Sequence, residues 1–305
     1  HMVAGGYEFD GREIASLDEK AVLAAAKDFR AKGLRTVAVS SVFSPVNTTM
    51  EDRAGEIIRN EIPDVALSLS NEIGRIGLLE RENAAIMNAS LADLASTVVS
   101  SFREALAKLK IKAPFFISQN DGTLMSADFV ERYPVLTFAS GPTNSMRGAA
   151  FLAGAKDAMV VAIGGTTSDI GVLLNGFPRE SSVAVDIGGV RTNFRMPDVL
   201  AIGLGGGSLI TDGETATVGP QSVGFELTSK AMVFGGDVLT ATDIAVASGL
   251  ANIGDKSRVA GLDAGLITRA TEEIHRKLDE AVDRMKTAAG DLPVILVGGG
   301  TVLVG

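Results

Sequence analysis

The chain has 305 residues, 46% of them hydrophobic, which is enough for a sizeable buried core in one large or two ordinary domains. Its formal net charge of −9 argues against nucleic acid as a partner, because phosphate backbones are bound by basic surfaces. The absence of cysteine excludes disulfides, thiolate catalysis and cysteine-ligated metals.

The first half of the sequence alternates predicted helices and strands. The apolar pattern predicts helices at 17–33, 50–60 and 80–110 and strands at 36–43, 65–70 and 114–119. The first helix has Ser16 or Asp18 as its cap, and the last strand leads into the polar turn Asn120-Asp121-Gly122. In the long third helix, apolar residues recur near three-and-four spacing at Ile86, Leu91, Leu94, Val98, Phe102, Leu106 and Leu109.

The second half is richer in short strands and in glycine. Strands are predicted at 133–139, 159–163, 170–174, 183–187, 199–203 and 294–297, the fourth continuing the sheet and the last two buried. Helices are predicted from Ser140-Gly141-Pro142 through Ala153 and over 263–289, and Asn175-Gly176 is a hairpin signal. A soft boundary near 137–140 divides the chain into domains 1–139 and 140–305.

The sequence is typical of a truncated chain at both ends. The chain begins at Gly5-Gly6-Tyr7 without an opening structural element and stops at Gly305, just past a strand and a glycine turn. Such a turn is usually completed by a helix whose N-terminus holds the ligand. We therefore expect a fragment of a longer protein; a full-length protein with an exposed final strand is the alternative.

Histidine is nearly absent, which further limits the catalytic and metal-binding sites that the chain can form. His1 precedes Met2 and is typical of a cloning scar, and His275 lies one residue off the apolar stripe of its helix, which predicts a solvated side chain. Serine–histidine–aspartate catalysis and histidine-rich metal sites are thereby excluded. Any metal would be a hard cation such as magnesium or calcium. With no signal peptide and no apolar run of about 18 residues, we expect a cytoplasmic protein without a membrane partner.

Glycine is the distinctive residue, with 35 in the chain. The strongest motif is at 160–171, where two apolar strands flank Gly164, Gly165, Thr166, Thr167, Ser168 and Asp169. Glycine lets backbone N–H groups approach a phosphate closely, and hydroxyl groups bond phosphate oxygens. Asp169 is a candidate to orient hydrated magnesium. An ordinary hairpin with a polar turn is the alternative interpretation.

Two further strands open onto glycine turns. One carries Gly203, Gly205, Gly206, Gly207 and Ser208, and the other carries Gly298, Gly299 and Gly300. Neither is a dinucleotide fingerprint, since a G-x-G-x-x-G pattern fails at Ser208, and no Walker-type G-x-x-x-x-G-K-[ST] is present. Three strand-to-glycine turns favour a ligand with several phosphates or a nucleotide base.

These motifs resemble those of the hydantoinase/oxoprolinase family, which includes proteins related to N-methylhydantoinase, 5-oxoprolinase and the acetone-type carboxylases. The family's D-x-G-G-T-x-x-D phosphate motif is matched by 163–169, with Ala162 in place of the leading aspartate. The other matches are, in chain order, Ser44-Pro45-Val46-Asn47, Ser70-Asn71-Glu72-Ile73-Gly74, Glu80-Arg81-Glu82, Asn88-Ala89, Ser140-Gly141-Pro142, Gly203–Ser208, Val218–Gly224 and Thr240–Asp243. The likeness covers nearly the whole chain.

The resemblance implies an α/β fold of the actin/hexokinase/Hsp70-like ATPase type, with two ribonuclease-H-like halves that close on MgATP and are partial at both ends. Thr166, Thr167 and Asp169 would contact phosphate and metal in the second phosphate loop, and Gly298–Gly300 would lie by the adenosine. The family's first phosphate loop is missing from this chain. Together with Ala162, this implies weak nucleotide binding or lost catalysis.

The activity that the resemblance implies is ATP-dependent opening of a cyclic amide, hydantoin- or 5-oxoproline-like, or the related carboxylase reaction. ATP would phosphorylate an amide or enolate oxygen, and water would then open the ring. Asp121 and Asp243 are the candidate general bases, although Asp121 also suits a turn and Asp243 a helix cap. Asp186 and Gly188-Gly189 also have the D-x-G-G form, but the residues on either side of them do not fit a second site of this kind.

A function of another class stays open. A nucleotide-binding regulatory module, or a catalytically weakened ATPase-fold protein, is favoured by Ala162 and by the lack of titratable histidine or cysteine. A small-molecule kinase of the same superfamily lacks a recognisable sugar-site pattern. The expected partners are a small cyclic amide and a second subunit or second copy.

Overall fold

The computed structural model describes residues 1–182, 184–213, 215–287, 290 and 292–305. Its contacts divide the chain into two compact units. The first unit is His1–Gly141 with Glu180–Met196, and the second is Pro142–Arg179 with Pro197–Gly305. Residues 180–196 thus fold with the first unit, although they follow the first part of the second in sequence. Val183 and Ala289, at the ends of two predicted elements, lie outside the described residues.

The first unit is a mixed α/β structure with small sheets. Its helices are α1 (Glu19–Ala31), α2 (Thr49–Glu61), α3 (Ser70–Ile73), α4 (Leu78–Lys108) and α5 (Ala127–Arg132), and its strands are β1 (Thr36–Val39), β2 (Ala66–Leu69), β3 (Phe116–Ser118), β4 (Leu124–Ser126), β8 (Val185–Ile187) and β9 (Val190–Thr192). β1 and β2 pair in parallel, whereas β3 with β4 and β8 with β9 form antiparallel hairpins. Asp18 caps α1 by accepting a hydrogen bond from the Ala21 N–H at 3.0 Å. The apolar faces of α1 and α2 pack with β1 into one small core.

One predicted strand of this unit is wrong, and another pairs elsewhere. Residues 133–139 form a 3₁₀ helix at Pro134–Thr137 instead of a strand. Proline fixes φ near the helical value and has no N–H for a strand ladder, which favours the helical turn. The strand predicted at 183–187 does not continue the main sheet. It forms a separate hairpin, in which Gly188 and Gly189 supply the positive φ of the turn.

A buried polar network joins the carboxyl ends of β1 and β2. Oε1 of Glu51 accepts hydrogen bonds from the Ser41 N–H (2.7 Å) and from Ser70 Oγ (2.6 Å), and Oε2 accepts one from the Asn71 N–H (2.9 Å). Arg81 donates to Ser70 Oγ at 2.9 Å and to the Ser41 carbonyl. Burial lowers the pKa of Arg81, and the nearby Glu51 raises it. Two of the sequence motifs, around Ser70 and Arg81, therefore meet in one network.

The long helix α4 buries mainly its alanines. Its buried apolar residues are Ala84, Ala85, Ala89, Ala95 and Val99, whereas Leu94, Phe102 and Leu109, on or just beyond the helix, are exposed. The three-and-four spacing therefore predicted the helix correctly without identifying the face that packs. Within the described ranges, no helix combines the length and the apolar character needed to cross a bilayer.

The second unit is built on a five-stranded mixed sheet. Its helices are most of α6 (Ser140–Ala153), α7 (Leu227–Lys230), α8 (Ala241–Ala247) and α9 (Ala264–Met285), and its strands are β5 (Ala158–Ile163), β6 (Ser168–Leu174), β7 (Phe177–Pro178), β10 (Val199–Ile202), β11 (Ser208–Thr211), β12 (Thr217–Ser222) and β13 (Val294–Val297). The sheet order is β10-β6-β5-β13, with β7 added to β6 through the predicted Asn175-Gly176 turn. β13 is parallel to β5, and β11 pairs with β12 in a separate hairpin.

The main core of this unit lies between the sheet and helices α8 and α9, and two predictions about burial fail around it. His275 of α9 is not a solvated surface residue: it is partly buried, and its Nε2 atom has no hydrogen-bond partner in the described part of the chain. The strands predicted to be buried at 199–203 and 294–297 both form, but neither is buried. Val199, Leu200 and Ile202 of β10 are only partly buried and Ala201 is exposed, and Val294 and Leu296 of β13 are 50% and 45% exposed. β13 lies at the edge of the sheet, so only one neighbour covers it.

Candidate functional site

The 164–167 turn, which joins β5 to β6, is the point on which the other glycine motifs of the second unit converge. The strand ladder continues up to the Ile163–Ser168 pair, and the Gly164 N–H donates to the Thr167 carbonyl at 2.9 Å. Gly165, Thr166 and Thr167 are exposed. The turn therefore places two exposed threonines at the end of a well-paired hairpin, together with the N–H groups of Gly165 and Thr166, which make no hydrogen bond to the described residues.

The 203–208 loop lies directly against this turn through backbone contacts. The N–H groups of Gly206 and Gly207 donate to the carbonyls of Gly164 and Gly165, at 3.0 and 2.6 Å. A Cβ atom at Gly205 would lie 2.6–2.7 Å from three backbone atoms of the turn, so only glycine fits there.

The polar groups of the 203–208 loop are already satisfied within the protein. The Gly205 N–H donates to Ser208 Oγ at 2.9 Å, the Ser208 N–H donates to the Gly205 carbonyl, and residues 205–208 are buried. Gly205, Gly206, Gly207 and Ser208 were expected to bind the cofactor. In this structure they support the 164–167 turn, and their N–H groups are occupied.

The glycines at 298–300 also approach the turn closely. A Cβ at Gly298, where φ is +95°, would lie 2.3 Å from the Ile163 carbonyl oxygen, and one at Gly300 would lie 2.7 Å from the Gly164 oxygen. Gly299, between them, is exposed and has open space around it. Two of the three glycines are thus required by packing, and Gly299 is the one with open space where a side chain would lie.

Asp169 stands on β6 between two alanines on the neighbouring strands. Its register partners are Ala162 on β5 and Ala201 on β10, so the three side chains share one face of the sheet, with Cβ atoms about 5 Å apart. Asp169 is partly buried, and this burial raises the pKa of its carboxyl group. An aspartate at position 162 would therefore stand directly beside Asp169. Such a pair would attract a hard cation and would repel itself without one.

Asp243 has a structural role in this geometry. With Thr240 it forms a capping box at the start of α8, accepting from the Thr240 N–H and Oγ1 at 2.7 Å each. Its other carboxylate oxygen accepts from the Val233 N–H at 2.7 Å, and the side chain is fully buried. The helix-cap alternative therefore describes Asp243 better than the general-base assignment. The neighbouring Thr242 bonds the Gly206 carbonyl through both its N–H and its Oγ1, which ties α8 to the 203–208 loop.

Asp121 belongs to the first unit and is engaged in its own turn. Its Oδ1 accepts hydrogen bonds from the N–H and the Oγ1 of Thr123, at 2.9 and 2.7 Å, in the loop between β3 and β4. Arg195 lies 3.9 Å from Oδ2. This is the turn chemistry that the sequence offered as an alternative, and a role as general base stays a prediction. Asp186 likewise accepts from the Gly189 N–H within the β8–β9 hairpin.

No sequence pattern assigned a site role to the end of β12, yet the structure brings it to the turn. Ser222 Oγ donates to the Gly165 carbonyl at 3.4 Å, and the Val223 N–H donates to the Gly207 carbonyl at 3.0 Å. The signal available was the motif match at Val218–Gly224, whose pairing with the 203–208 loop is a long-range contact. The described residues contain no cluster of three or more Asp, Glu, His or Cys side chains placed to hold a metal.

Known proteins match the chain in sequence and in fold. It is 29% identical over 253 residues to caprolactamase subunit alpha of Pseudomonas jessenii, covering 81% of this chain and 36% of that protein. It is 28% identical over 254 residues to acetophenone carboxylase gamma subunit of Aromatoleum aromaticum, covering 79% of this chain and 34% of that protein. The chain thus spans well under half the length of these relatives.

A solved structure of ATP-dependent caprolactamase from Pseudomonas jessenii superposes with a TM-score of 0.80 at 23% identity, covering 98% of this chain and 47% of that one. Nucleotide-free acetone carboxylase superposes with a TM-score of 0.64 at 20% identity, covering 93% and 44%. These likenesses establish a shared mixed α/β fold. The model of the hydantoinase/oxoprolinase N-terminal region matches residues 1–62, and the hydantoinase/oxoprolinase model matches residues 81–289, which is more than half of the chain. The chain therefore belongs to the hydantoinase/oxoprolinase family.

Proposed function

We propose that this chain is the MgATP-binding part of an ATP-dependent enzyme that opens a cyclic amide, and that it has the actin/hexokinase/Hsp70-like ATPase fold. The observation that carries the proposal is the exposed 164–167 turn, held by the 203–208 and 298–300 glycines, with Asp169 on the adjoining strand. The family match supports the ATP dependence, and so does the fold shared with an ATP-dependent caprolactamase and with acetone carboxylase, whose carboxylation of acetone is ATP-dependent.

The donor set of the turn suits a polyphosphate. Gly165 and Thr166 form no backbone N–H hydrogen bond within the described part of the chain, and the hydroxyls of Thr166 and Thr167 are exposed. Backbone N–H and hydroxyl groups are the usual donors to phosphate oxygens. The Asp169 carboxylate can take one place around a magnesium ion, the rest being filled by water and phosphate, as this cation prefers.

The residues of the site have two roles: some contact the nucleotide or its cation, and others hold the 164–167 turn in place. In this proposal Gly165, Thr166 and Thr167 bind phosphate oxygens, Asp169 orients the hydrated cation, and Gly299 borders the nucleoside. Gly164, Gly205–Ser208, Gly298 and Gly300 hold the turn rigid, which lowers the entropy lost on binding. When bound, MgATP would supply the phosphoryl group that converts an amide oxygen into a better leaving group, through a phosphorylated intermediate.

The whole enzyme needs more than this chain. The names of both curated relatives denote subunits, so we propose that a second subunit completes the substrate site and that the substrate is a small cyclic amide or, as in the carboxylases, a ketone. We place the protein in the cytoplasm.

One observation favours a second candidate function. Ala162 leaves Asp169 without the neighbouring carboxylate that the family motif carries. A nucleotide-binding regulatory module, which needs affinity without turnover, would tolerate this loss. The substitution Ala162→Asp separates the two, because it should strengthen magnesium-dependent binding only if the face around Asp169 is a cation site.

Calorimetric titration of MgATP into this chain tests the proposal. Each of Thr166→Val and Thr167→Val should weaken binding by about tenfold, the loss of one hydrogen bond to a charged oxygen. Asp169→Asn should remove the advantage that magnesium gives to ATP binding. Thr217→Val, an exposed threonine on β12, is the matched control and should change nothing. Absence of MgATP binding to both the unchanged chain and Ala162→Asp would refute the proposal.

A further inference from the structure

Phe225 is displayed to solvent beside the candidate site. Its side chain is 97% exposed, so it adds almost nothing to the core of the second unit. Two other phenylalanines of that unit differ from it: the Arg147 guanidinium lies 3.9 Å from the ring centre of Phe177, and Phe234 packs against the main core. Phe151 is also exposed, but it lies on α6.

The segment that carries Phe225 is fixed to the 164–167 turn and its support. Ser222 bonds the Gly165 carbonyl, and Val223 bonds the Gly207 carbonyl. Gly224 then turns the chain outward with φ of +58°, its N–H donating to Ser222 Oγ at 3.0 Å. Phe225 follows three residues after Ser222, so its Cα lies within about 11 Å of the Ser222 Cα, and the Ser222 hydroxyl is bonded to the turn.

An exposed aromatic ring on a rigid loop is a stacking platform. Nucleotide bases stack on aromatic side chains, and the contact is worth roughly tenfold or more in affinity. A nucleotide whose phosphates occupy the turn must place its base at the far end of the ribose, away from the phosphate donors. Among the aromatic residues that the structure describes in the second unit, Phe225 is the one that is both exposed and on a segment bonded to the turn.

We infer that Phe225 is the platform on which the purine base of the bound nucleotide stacks. This inference rests on the proposed function, because it takes the 164–167 turn as the phosphate site. It assigns the two parts of the ligand to different groups: the triphosphate to the turn, and the base to a side chain outside the glycine motifs.

Titration with two ligands separates these parts. Magnesium tripolyphosphate carries the phosphates without a base, so Phe225→Ala should leave its affinity unchanged while weakening MgATP by about tenfold. Phe151→Ala is the matched control, because it removes another exposed phenylalanine ring, 85% exposed, on α6. It should alter neither affinity.

Fluorescence gives an independent reading, because the chain has no tryptophan. Phe225→Trp would place the sole indole on the loop, and MgATP should change its emission whereas magnesium tripolyphosphate should not. Failure of both ligands to bind either the unchanged chain or Ala162→Asp would refute the proposed function and this inference with it. Binding of MgATP that Phe225→Ala does not weaken, or equal weakening of both ligands, would overturn the inference alone.

Discussion

The two units gather polar groups at the ends of neighbouring strands by opposite means. In the second unit, backbone meets backbone: glycine N–H groups and carbonyls hold the 164–167 turn, and its side chains remain exposed. In the first unit, side chains meet at the ends of β1 and β2, and Glu51, Ser70 and Arg81 are all buried and bonded to one another or to backbone. When backbone hydrogen bonds hold a candidate site in place, its hydroxyl and carboxylate groups stay available for a ligand. When the side chains are all hydrogen-bonded to one another or to backbone, they stabilise the fold instead.

This contrast makes the two regions sensitive to different substitutions. Where the backbones of two loops touch, one added methyl group is the severe change, because backbone cannot move aside as a flexible side chain can. Where charged side chains are buried together, the severe change is the removal of one partner, because the others lose their compensation.

The largest effect is expected from Gly205→Ala. The new Cβ would lie 2.6–2.7 Å from backbone atoms of Gly164, Gly165 and Thr166, so the loops must separate, at a cost of about 3 kcal/mol in the free energy of unfolding. Gly148→Ala is the matched control, since that glycine lies inside α6 with open space around it. It should stabilise the chain by about 0.5–1 kcal/mol. Urea unfolding of both variants measures the difference, and similar values for the two would contradict the backbone contact.

A smaller loss is expected from Glu51→Gln. The amide nitrogen cannot accept the Asn71 N–H, and Arg81 loses the charge that offsets its burial, so stability should fall by about 2–3 kcal/mol. Glu56→Gln, at an exposed position five residues further along α2, should change the stability by less than about 0.5 kcal/mol. The same denaturant titration compares the two variants. An equally small loss of stability in Glu51→Gln and Glu56→Gln would show that the buried network does not stabilise the fold.

The smallest effect concerns pH. The pKa of Asp169 is raised by burial, so the folded state favours the protonated form. Its contribution is fully present below the unfolded value of about 3.9 and is lost as pH rises through the higher folded value. Asp169→Asn should therefore slightly stabilise the protein at pH 7 and leave it little changed at pH 3. Thermal unfolding at the two pH values tests this, and destabilisation at pH 7 would show that the carboxylate is held by a favourable contact.

The candidate site was predictable in its parts but not in their roles. The turn at 164–169, the loop at 203–208 and the turn at 298–300 follow from apolar runs that end in glycine, which is local information. That Gly205 packs on the turn while Gly165 faces solvent depends on contacts between residues some forty positions apart. Asp243 shows the same limit, since one four-residue motif suits both a catalytic acid and a helix cap, and the Val233 N–H decides for the cap.

The sequence by itself determined the alternation of helices and strands, the Asn175-Gly176 hairpin, the exclusion of cysteine and histidine chemistry, and the family resemblance, because periodicity, turn residues and composition are properties of short stretches. Tertiary structure decided that residues 180–196 pack with the first unit and that β13 lies at an edge of the sheet. It also decided that Ala162, Asp169 and Ala201 lie side by side on one face of that sheet. These depend on which distant strand lies alongside. Backbone hydrogen bonding can join a strand to many partners, and only the packing of the whole unit selects one.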